Sequence, residues 1–257
     1  MTISMIKKSI FFFVSIFFSI ALSAQIITPN DTISFDYPYY SLKSMGITGR
    51  IAKIKETKLG DVVKKNDGYI SKTKRVLDQV TMLFGDSAIL IRKEFGSKRA
   101  SEYARERSNF TIVGRRIVKM RQTVHEELIS ESSYNWLSDS QIRIFYSTKD
   151  VSKTKIVEIK LNNFAAPILE YEIITRGEAM ISSSLTSKTY TQEKWVNTMV
   201  VNRTKYLKNN EIKDLTSYRV EYFRTDDLNN WVQAAYINTK TGKPEFIIRR
   251  DIEYIDE

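Results

Sequence analysis

The chain has 257 residues, 42% of them hydrophobic and 12% aromatic, with a formal net charge of +10 and no cysteine. This length and composition fit one large or two small globular domains and exclude a disordered or low-complexity protein. The lack of cysteine excludes disulfides, thiolate metal sites, a cysteine nucleophile and a lipoprotein anchor.

The first 24 residues have the layout of a secretory signal peptide. It starts with the basic residues Lys7 and Lys8, followed by an apolar run at residues 10–22 that is short for a membrane span. It ends with the small residues Ser23 and Ala24. We expect cleavage after Ala24, with an uncleaved anchor as the alternative. Cleavage takes the formal charge from +10 to +8 and predicts a periplasmic, extracellular or cell-surface protein.

Two regions are predicted for the exported chain. Residues 25–45 are expected to run extended over the surface, since Pro38 has no N–H to give to a central strand ladder. Residues 46–257 are expected to form a single β-rich, repeat-like domain.

Strand signals dominate residues 46–257. Apolar and polar residues alternate with period two in runs rich in Tyr, Ile, Val and Phe, which is the pattern of half-buried strands. The clearest runs are 116–128, 155–161, 169–175, 217–223 and 245–254, and turn residues occur at 64–68, 84–87, 161–167, 208–211 and 239–244. This pattern predicts an all-β fold of consecutive antiparallel hairpins in an extended or curled meander sheet.

One segment, residues 98–108, has a helix-forming composition and predicts either a short helix or a charged loop. It lies within residues 92–121, where ten Lys or Arg accompany three Glu. This basic segment would attract an anionic partner, or it is a charged strand edge that resists aggregation. Its basic residues are Arg92, Lys93, Lys98, Arg99, Arg105, Arg107, Arg115, Arg116, Lys119 and Arg121.

Residues 226–254 predict two tight turns and two strands. Asp226 or Asp227 is expected to accept hydrogen bonds from turn amides, and Asn229 or Asn230 to adopt the left-handed conformation. In the second turn, a glycine allows positive φ and a proline ends the turn. The residues with these structural roles are Asp227, Asn229, Asn230, Trp231, Gly242, Pro244 and Tyr254.

The same region carries a family resemblance. Its spacing follows the pattern Tyr, Asp-x-x-Gly-Asn-Trp, Gly-Lys-Pro and Arg-x-Ile-x-Tyr at Tyr222, Asp227, Asn230, Trp231, Gly242, Lys243, Pro244, Arg250, Ile252 and Tyr254, with Asn229 at the glycine position. This arrangement resembles the C-terminal unit of secreted Bacteroidetes proteins related to the RHS or YD-repeat family. The resemblance covers mainly residues 46–57 and 218–254, and it implies stacked β-hairpins and no reaction.

No catalytic motif is present: the chain lacks a nucleophile elbow, a phosphate-binding P-loop, a zinc-protease helix and a dinucleotide fingerprint. We therefore predict no catalytic, cofactor-binding or metal-binding residues. The single histidine, His125, would share a strand face with Glu127, and two ligands are fewer than a zinc site requires.

Two carboxylate pairs are the kind that a glycan hydrolase would need. They are Glu170 with Glu172 and Glu221 with Glu253, and each alternates with apolar residues as solvent-facing positions do. Aromatic side chains that are exposed on a sheet face would stack on sugar rings. The candidates are Tyr37, Tyr39, Tyr40, Trp136, Trp195 and Trp231. Burial in the sheet core is the favoured interpretation for each of them.

The sequence thus predicts an exported, non-catalytic β protein with a structural or binding role at the cell envelope. Its partner would be an envelope protein, a glycan or a lipid. No nucleic acid partner, cofactor or transmembrane anchor after signal cleavage is expected. The alternatives are a periplasmic carrier with an apolar concave sheet for a lipid or acyl chain, and a glycan-active hydrolase.

Overall fold

The computed structural model describes residues 41–85, 90–96, 105–114, 116–148, 152–190, 195–207 and 210–255. The predicted signal peptide therefore lies outside the described residues. Within these ranges the regular elements are sixteen β-strands: β1 (Ile51–Leu59), β2 (Val62–Lys65), β3 (Gly68–Ser71), β4 (Val76–Phe84), β5 (Leu90–Gly96), β6 (Arg105–Val113), β7 (Arg116–Val124), β8 (Glu127–Ser138), β9 (Gln141–Thr148), β10 (Lys153–Leu161), β11 (Pro167–Arg176), β12 (Ala179–Tyr190), β13 (Val196–Leu207), β14 (Asn210–Thr225), β15 (Trp231–Asn238) and β16 (Pro244–Tyr254).

Fourteen of the described strands form one closed antiparallel barrel. From β4 to β16 each strand pairs with the next one in the chain, and β1 closes the ring by pairing with both β4 and β16. The all-β class and the antiparallel hairpins are confirmed. The predicted extended or curled meander sheet is wrong, because the sheet closes into a barrel. Closure depends on pairing between the first and last strands, which no local sequence pattern reveals.

The segment 98–108 contains no helix in its described part. Residues 105–108 begin strand β6 and pair with β5 and β7, so the helical interpretation is wrong for these four residues. Their cross-strand partners override a weak local helix propensity. Residues 97–104 lie outside the described residues. In the part of the chain that the structure describes, no helix is long and apolar enough to cross a membrane.

The barrel wall has an inner and an outer face that alternate along each strand. In β10, Val157 and Ile159 are buried inside, and Glu158 between them forms an ion pair on the outer face with Arg143 of β9. This alternation follows from the period of two in strand side-chain directions.

Apolar side chains fill large parts of the interior. One cluster lies along β7 to β10 and includes Ile117, Ile142 and Ile144, all nearly inaccessible to solvent. A second joins Ile54 of β1 to Met82 of β4. Each fully buried aliphatic side chain contributes roughly 1.5–3 kcal/mol to stability, so these clusters are the main source of the fold's free energy.

The residues just before β1 form a compact turn. The amide of Met45 donates to the carbonyl of Ser41 at 3.1 Å, and the Ser44 hydroxyl donates to the same carbonyl at 2.9 Å. Leu42 and Ile47 are buried against the cluster around Ile54. The predicted extended surface segment is therefore wrong for residues 41–45, because Leu42 finds apolar partners; residues 25–40 lie outside the described residues.

The hairpin of β2 and β3 packs on the outer face of the barrel. Tyr69 of β3 is buried against Ala235 and Ile247, and its hydroxyl donates to Glu221 at 2.5 Å. The approach is close at Gly68, where an added Cβ would lie 2.8 Å from a ring carbon of Phe223. The hairpin thus shields from water an apolar part of the outer wall.

A buried amide connects the two ends of the domain. Asn230 is fully buried, and its Oδ1 accepts from the Thr48 amide at 2.6 Å, while its Nδ2 donates to the Thr48 carbonyl at 2.8 Å. The same Nδ2 donates to the hydroxyl of Tyr254 at 2.9 Å, and that hydroxyl donates to Asp226. The network ties the segment before β1 to the β14–β15 turn and the end of β16.

Replacement of Asn230 by alanine tests this network. Asn230→Ala removes both backbone bonds to Thr48 and leaves buried polar atoms without partners, so we expect the free energy of unfolding to fall by about 1–3 kcal/mol. Urea unfolding followed by tryptophan fluorescence measures the change. The matched control is Asn229→Gly, which keeps the left-handed φ of 60° free of strain and should leave the midpoint nearly unchanged. Equal midpoints for Asn230→Ala and the wild type would contradict the assigned role.

Candidate functional site

A polar pocket lies on the inner face of strands β10 to β13. It has a volume of about 300 Å³ and contains two carboxylates, an arginine, a lysine and several hydroxyl groups. The register explains how these groups meet: Val157, Glu172, Ser184 and Arg203 are successive cross-strand partners from β10 to β13. A row of polar side chains therefore crosses the inner wall beside the apolar cluster of β7 to β10.

Both pocket carboxylates form ion pairs with lysines on neighbouring strands. Glu172 pairs with Lys155 at 2.6 Å, and Glu170 pairs with Lys188 at 2.5 Å. The sequence pattern indicated that Glu170 and Glu172 face solvent outside the sheet, which is wrong. Both line the pocket because the inner wall changes from apolar to polar at β11.

The second predicted carboxylate pair does not come together. Glu221 lies on the outer face, where it accepts from Tyr69 and pairs with Arg219 at 2.6 Å. Glu253 pairs with Lys53 on the outer face of β16 and β1. The two carboxylates have different partners on non-adjacent strands, so they do not form one site.

Four hydrogen-bond donors in the pocket have free capacity. Ser182 faces Lys205 and Ser184 faces Arg203 across the β12–β13 ladder. Within the described residues, these four side chains make no hydrogen bond or ion pair with one another or with other groups. They are therefore available to a ligand.

A second interior polar group is structural. The Arg250 guanidinium is 3.4 Å from the ring centroid of Trp231, and its Nε donates to Glu56 at 2.8 Å. Trp231 also packs against Tyr222, with ring centroids 5.3 Å apart. Such a buried ion pair beneath an aromatic ring holds β1, β15 and β16 in register and is closed to ligands.

Burial changes the proton affinity of several interior groups. It raises the pKa of Tyr236 and, together with a hydrogen bond to Glu245, that of Tyr218, each to about 12. Burial also raises the pKa of Tyr190 well above its ordinary value, with the nearby Glu170 carboxylate as a further cause. In Lys58, whose ammonium lies 3.7 Å from the Phe246 ring centroid, burial lowers the pKa.

The basic segment 92–121 does not form a surface of one charge in its described part. Glu94 pairs with Arg92 at 3.9 Å and with Arg107 at 3.2 Å, while Glu131 pairs with Lys119 at 3.0 Å and Arg121 at 3.1 Å. These acids lie on the outer face beside the basic residues because adjacent strands bring them into register.

The other members of the basic segment are dispersed. Arg116 pairs with Asp139, and Lys93 is the register partner of Met82 and Ser108, both buried, which assigns it to the inner face. Arg105 begins β6, and Lys98, Arg99 and Arg115 lie outside the described residues. An anionic partner for this segment remains a prediction.

The structure distinguishes between the alternatives predicted for the C-terminal turns. Asp226, and not Asp227, accepts from the amides of Leu228 at 3.0 Å and Asn230 at 2.8 Å. Asn229 has the left-handed φ of 60°, and Gly242 has a φ of 67° in the second turn. Pro244 begins β16.

The histidine and the aromatic residues also have identifiable places. His125 and Glu126 have φ values of 48° and 69° and form the tight turn between β7 and β8, so the predicted shared strand face with Glu127 is wrong. Among the described residues, no three His, Asp or Glu side chains are grouped to hold a metal ion. Trp231 is buried, while Trp136 and Trp195 are partly buried against core clusters; Tyr37, Tyr39 and Tyr40 lie outside the described residues.

Comparisons with known proteins give distant structural similarity and no family. No protein-family model matches the chain, and no curated protein matches it significantly. Among solved structures, the chain is similar to a porin-like protein from Bacteroides vulgatus ATCC 8482, with a TM-score of 0.46 and 12% sequence identity. The alignment covers 82% of this chain and 100% of that chain.

Sequence reasoning missed the pocket for an identifiable reason. Ser182, Ser184 and Thr186 occupy alternate positions of a serine-rich strand, and Arg203 and Lys205 alternate in the same way in β13. Alternation alone does not show which face of a strand is inside, and polar residues are normally assigned to solvent. The signal that could have revealed the pocket is the presence of polar faces on adjacent hairpins.

Alkaline unfolding tests the interior electrostatics. The raised pKa of Tyr236 means that the folded protein keeps a proton which the unfolded chain loses above pH 10.0. Stability from this residue is thus complete below pH 10.0 and is lost as the pH rises towards about 12. We expect the urea midpoint to fall over this window, and to fall less steeply in Tyr236→Phe, which keeps the ring stacked on Phe246. An identical pH slope in both proteins would exclude this residue as a cause.

Proposed function

We propose that this chain is an exported, non-catalytic binding protein of the cell envelope, with its barrel wall in water and the inner-wall pocket as its binding site. The observation that carries the proposal is the pocket itself. It is a concave site of about 300 Å³ whose polar groups converge, and several of its donors have free hydrogen-bonding capacity. Export follows from the predicted signal peptide.

The outer face supports a barrel that stands in water. Ion pairs join side chains on this face, including Arg143 with Glu158 at 2.7 Å and Arg249 with Asp251 at 3.0 Å. A basic residue on a lipid-facing wall destabilises a membrane barrel by roughly 2–4 kcal/mol at the bilayer midplane. Repeated charges in the central parts of strands favour contact with water over contact with lipid tails.

The interior is a poor container for an acyl chain. Its apolar part is occupied by the protein's own side chains, such as Ile142, Ile144 and Ile159 of the β7–β10 cluster. The pocket next to that cluster is lined mainly by charged and hydroxyl side chains. A lipid tail placed there would desolvate those polar groups without giving them hydrogen bonds. A polar ligand is therefore favoured over the lipid-carrier alternative.

The pocket carboxylates also favour binding over hydrolysis. A glycosidase places two carboxyl groups on either side of the bond that it cleaves. Glu170 and Glu172 lie two residues apart on one strand, and each is ion-paired with its own lysine. This side-by-side arrangement can hold hydroxyl groups by accepting hydrogen bonds from them.

Vesicle flotation tests the position of the barrel relative to membranes. Because ion pairs such as Arg143–Glu158 and Arg249–Asp251 lie in the central outer wall, we expect the exported, purified protein to stay in solution without detergent and to remain at the bottom of a density gradient with phospholipid vesicles. Co-flotation of most of the protein with neutral phosphatidylcholine vesicles would contradict a wall that stands in water.

Occlusion of the pocket tests the binding role. Ser184→Trp places a large ring in the pocket, whereas Ser133→Trp places the same ring on the exposed outer face of β8 as a control. We expect at least one compound from a panel of sugars, amino acids, nucleotides and fatty acids to raise the melting temperature of the wild type and of Ser133→Trp. Ser184→Trp should lose this response because the ligand competes with the ring for space.

Each other result of that experiment rejects a part of the proposal. No thermal shift with any compound would reject the pocket as a binding site. A response to fatty acids alone would favour the carrier alternative. In a separate activity assay, steady release of product from an oligosaccharide, abolished by Glu170→Gln, would show that the protein is an enzyme.

A further inference from the structure

We propose that the pocket binds a small sugar carrying an oxyanion, either a carboxylate or a phosphate, with Arg203, Lys205, Ser182 and Ser184 as the anion-binding residues. This inference rests on the proposed role of the pocket as a binding site and adds the chemical class of the ligand. It follows from the register of β12 with β13, the charge balance of the pocket and the acceptor groups of the adjacent strand β11.

The four anion-binding residues form a compact patch of donors. Ser184 is the cross-strand partner of Arg203, and Ser182 is the cross-strand partner of Lys205, so the two pairs are adjacent on one face. Directly opposed residues in an antiparallel ladder have Cβ atoms roughly 5 Å apart, and diagonal neighbours are roughly 7–8 Å apart. Two hydroxyls, a guanidinium and an ammonium can thus reach one oxyanion together.

The charge balance of the pocket favours an anion. The two carboxylates, Glu170 and Glu172, are each matched by a paired lysine. Arg203 and Lys205 have no ion-pair partner among the described residues, although Asp214 faces Arg203 across the β13–β14 ladder. Two cations, Arg203 and Lys205, against one acid, Asp214, leave a net charge of +1 at this place. A carboxylate or phosphate would complete this group with charge-assisted hydrogen bonds.

The strand beside the donors, β11, suits the hydroxyl groups of a sugar, and its Glu172 is the cross-strand partner of Ser184. Glu170 and Glu172 on β11 each have two oxygens, and one lysine does not saturate the acceptor capacity of a carboxylate. Thr186, the cross-strand partner of Glu170, adds a hydroxyl that both donates and accepts. A ring with several hydroxyls can bond to these acceptors while its oxyanion occupies the donor patch.

The size and lining of the pocket favour a small anion over a bulkier one. Its volume of about 300 Å³ is at the lower end of the range for small-molecule sites. No aromatic ring is among its lining residues in the described chain, so a nucleobase would have no stacking partner. The site therefore matches a single charged sugar ring better than a nucleotide.

Isothermal titration calorimetry of the exported, purified protein tests the ligand class. The probes are glucuronate, glucose 6-phosphate, uncharged glucose and inorganic phosphate. We expect one of the two charged sugars to bind more tightly than glucose, and the preferred one identifies a carboxylate or a phosphate as the bound group. Binding should weaken with added salt because the contact is between opposite charges.

Two double variants separate a local effect from a change in net charge. Arg203→Gln with Lys205→Gln should weaken binding of the charged sugar by about tenfold or more, since each lost charge-assisted bond has a free energy comparable to that factor. Lys213→Gln with Arg219→Gln removes the same net charge from β14 outside the pocket, and it should leave binding nearly unchanged.

The outcomes distinguish failure of this inference from failure of the proposed function. Equal binding of glucose and the charged sugars, with no effect of the Arg203 and Lys205 substitutions, would overturn the anionic class while the pocket remains a binding site. Binding of inorganic phosphate without either charged sugar would also overturn it. Failure of all four probes would overturn this inference, and the function as well if the wider compound panel gives no thermal shift.

Discussion

Pairing of β1 with β16 is the constraint on which the rest of the fold depends. Every other barrel contact joins strands that are neighbours in the chain, apart from the β1–β4 contact that steps over the outer hairpin. Among the described strand ladders, β1–β16 is the one that joins the two ends of the domain. It is fixed from the inside by the Arg250–Glu56 pair and beside it by the buried Asn230 amide, so buried polar contacts lie where closure must be specified.

The barrel separates two uses of charged side chains. On the outer face, most ion pairs between described residues are solvent-exposed and contribute little stability. On the inner face, charges occur in two places with different consequences. The Arg250–Glu56 pair is closed over by Trp231, while the groups at β11 to β13 surround open space. The same residue types thus hold strands in register where an aromatic side chain covers them, and they line the proposed binding site where none does.

Local sequence patterns predicted the strands and turns well but not their assembly. Alternation identified the strands that contain residues 155–161 and 245–254, and the turn chemistry of Asn229 and Gly242 is as predicted, since these depend on neighbouring residues alone. Three features depend on partners far along the chain: barrel closure, the packing of Leu42 onto the core, and the inward orientation of Glu170 and Glu172. A strand with polar residues on alternate positions looks the same whether those residues face a pocket or bulk water.

The side-by-side position of the barrel ends has a consequence for chain connectivity. Ile51 at the start of β1 is the register partner of Tyr254 at the end of β16, and the amide of Ile255 donates to the carbonyl of Arg50 at 2.9 Å. A short linker can therefore bridge these two points without crossing the interior. The order of strands around the ring would survive a circular permutation with new termini in an exposed hairpin turn such as residues 239–243, because the ring itself has no first strand.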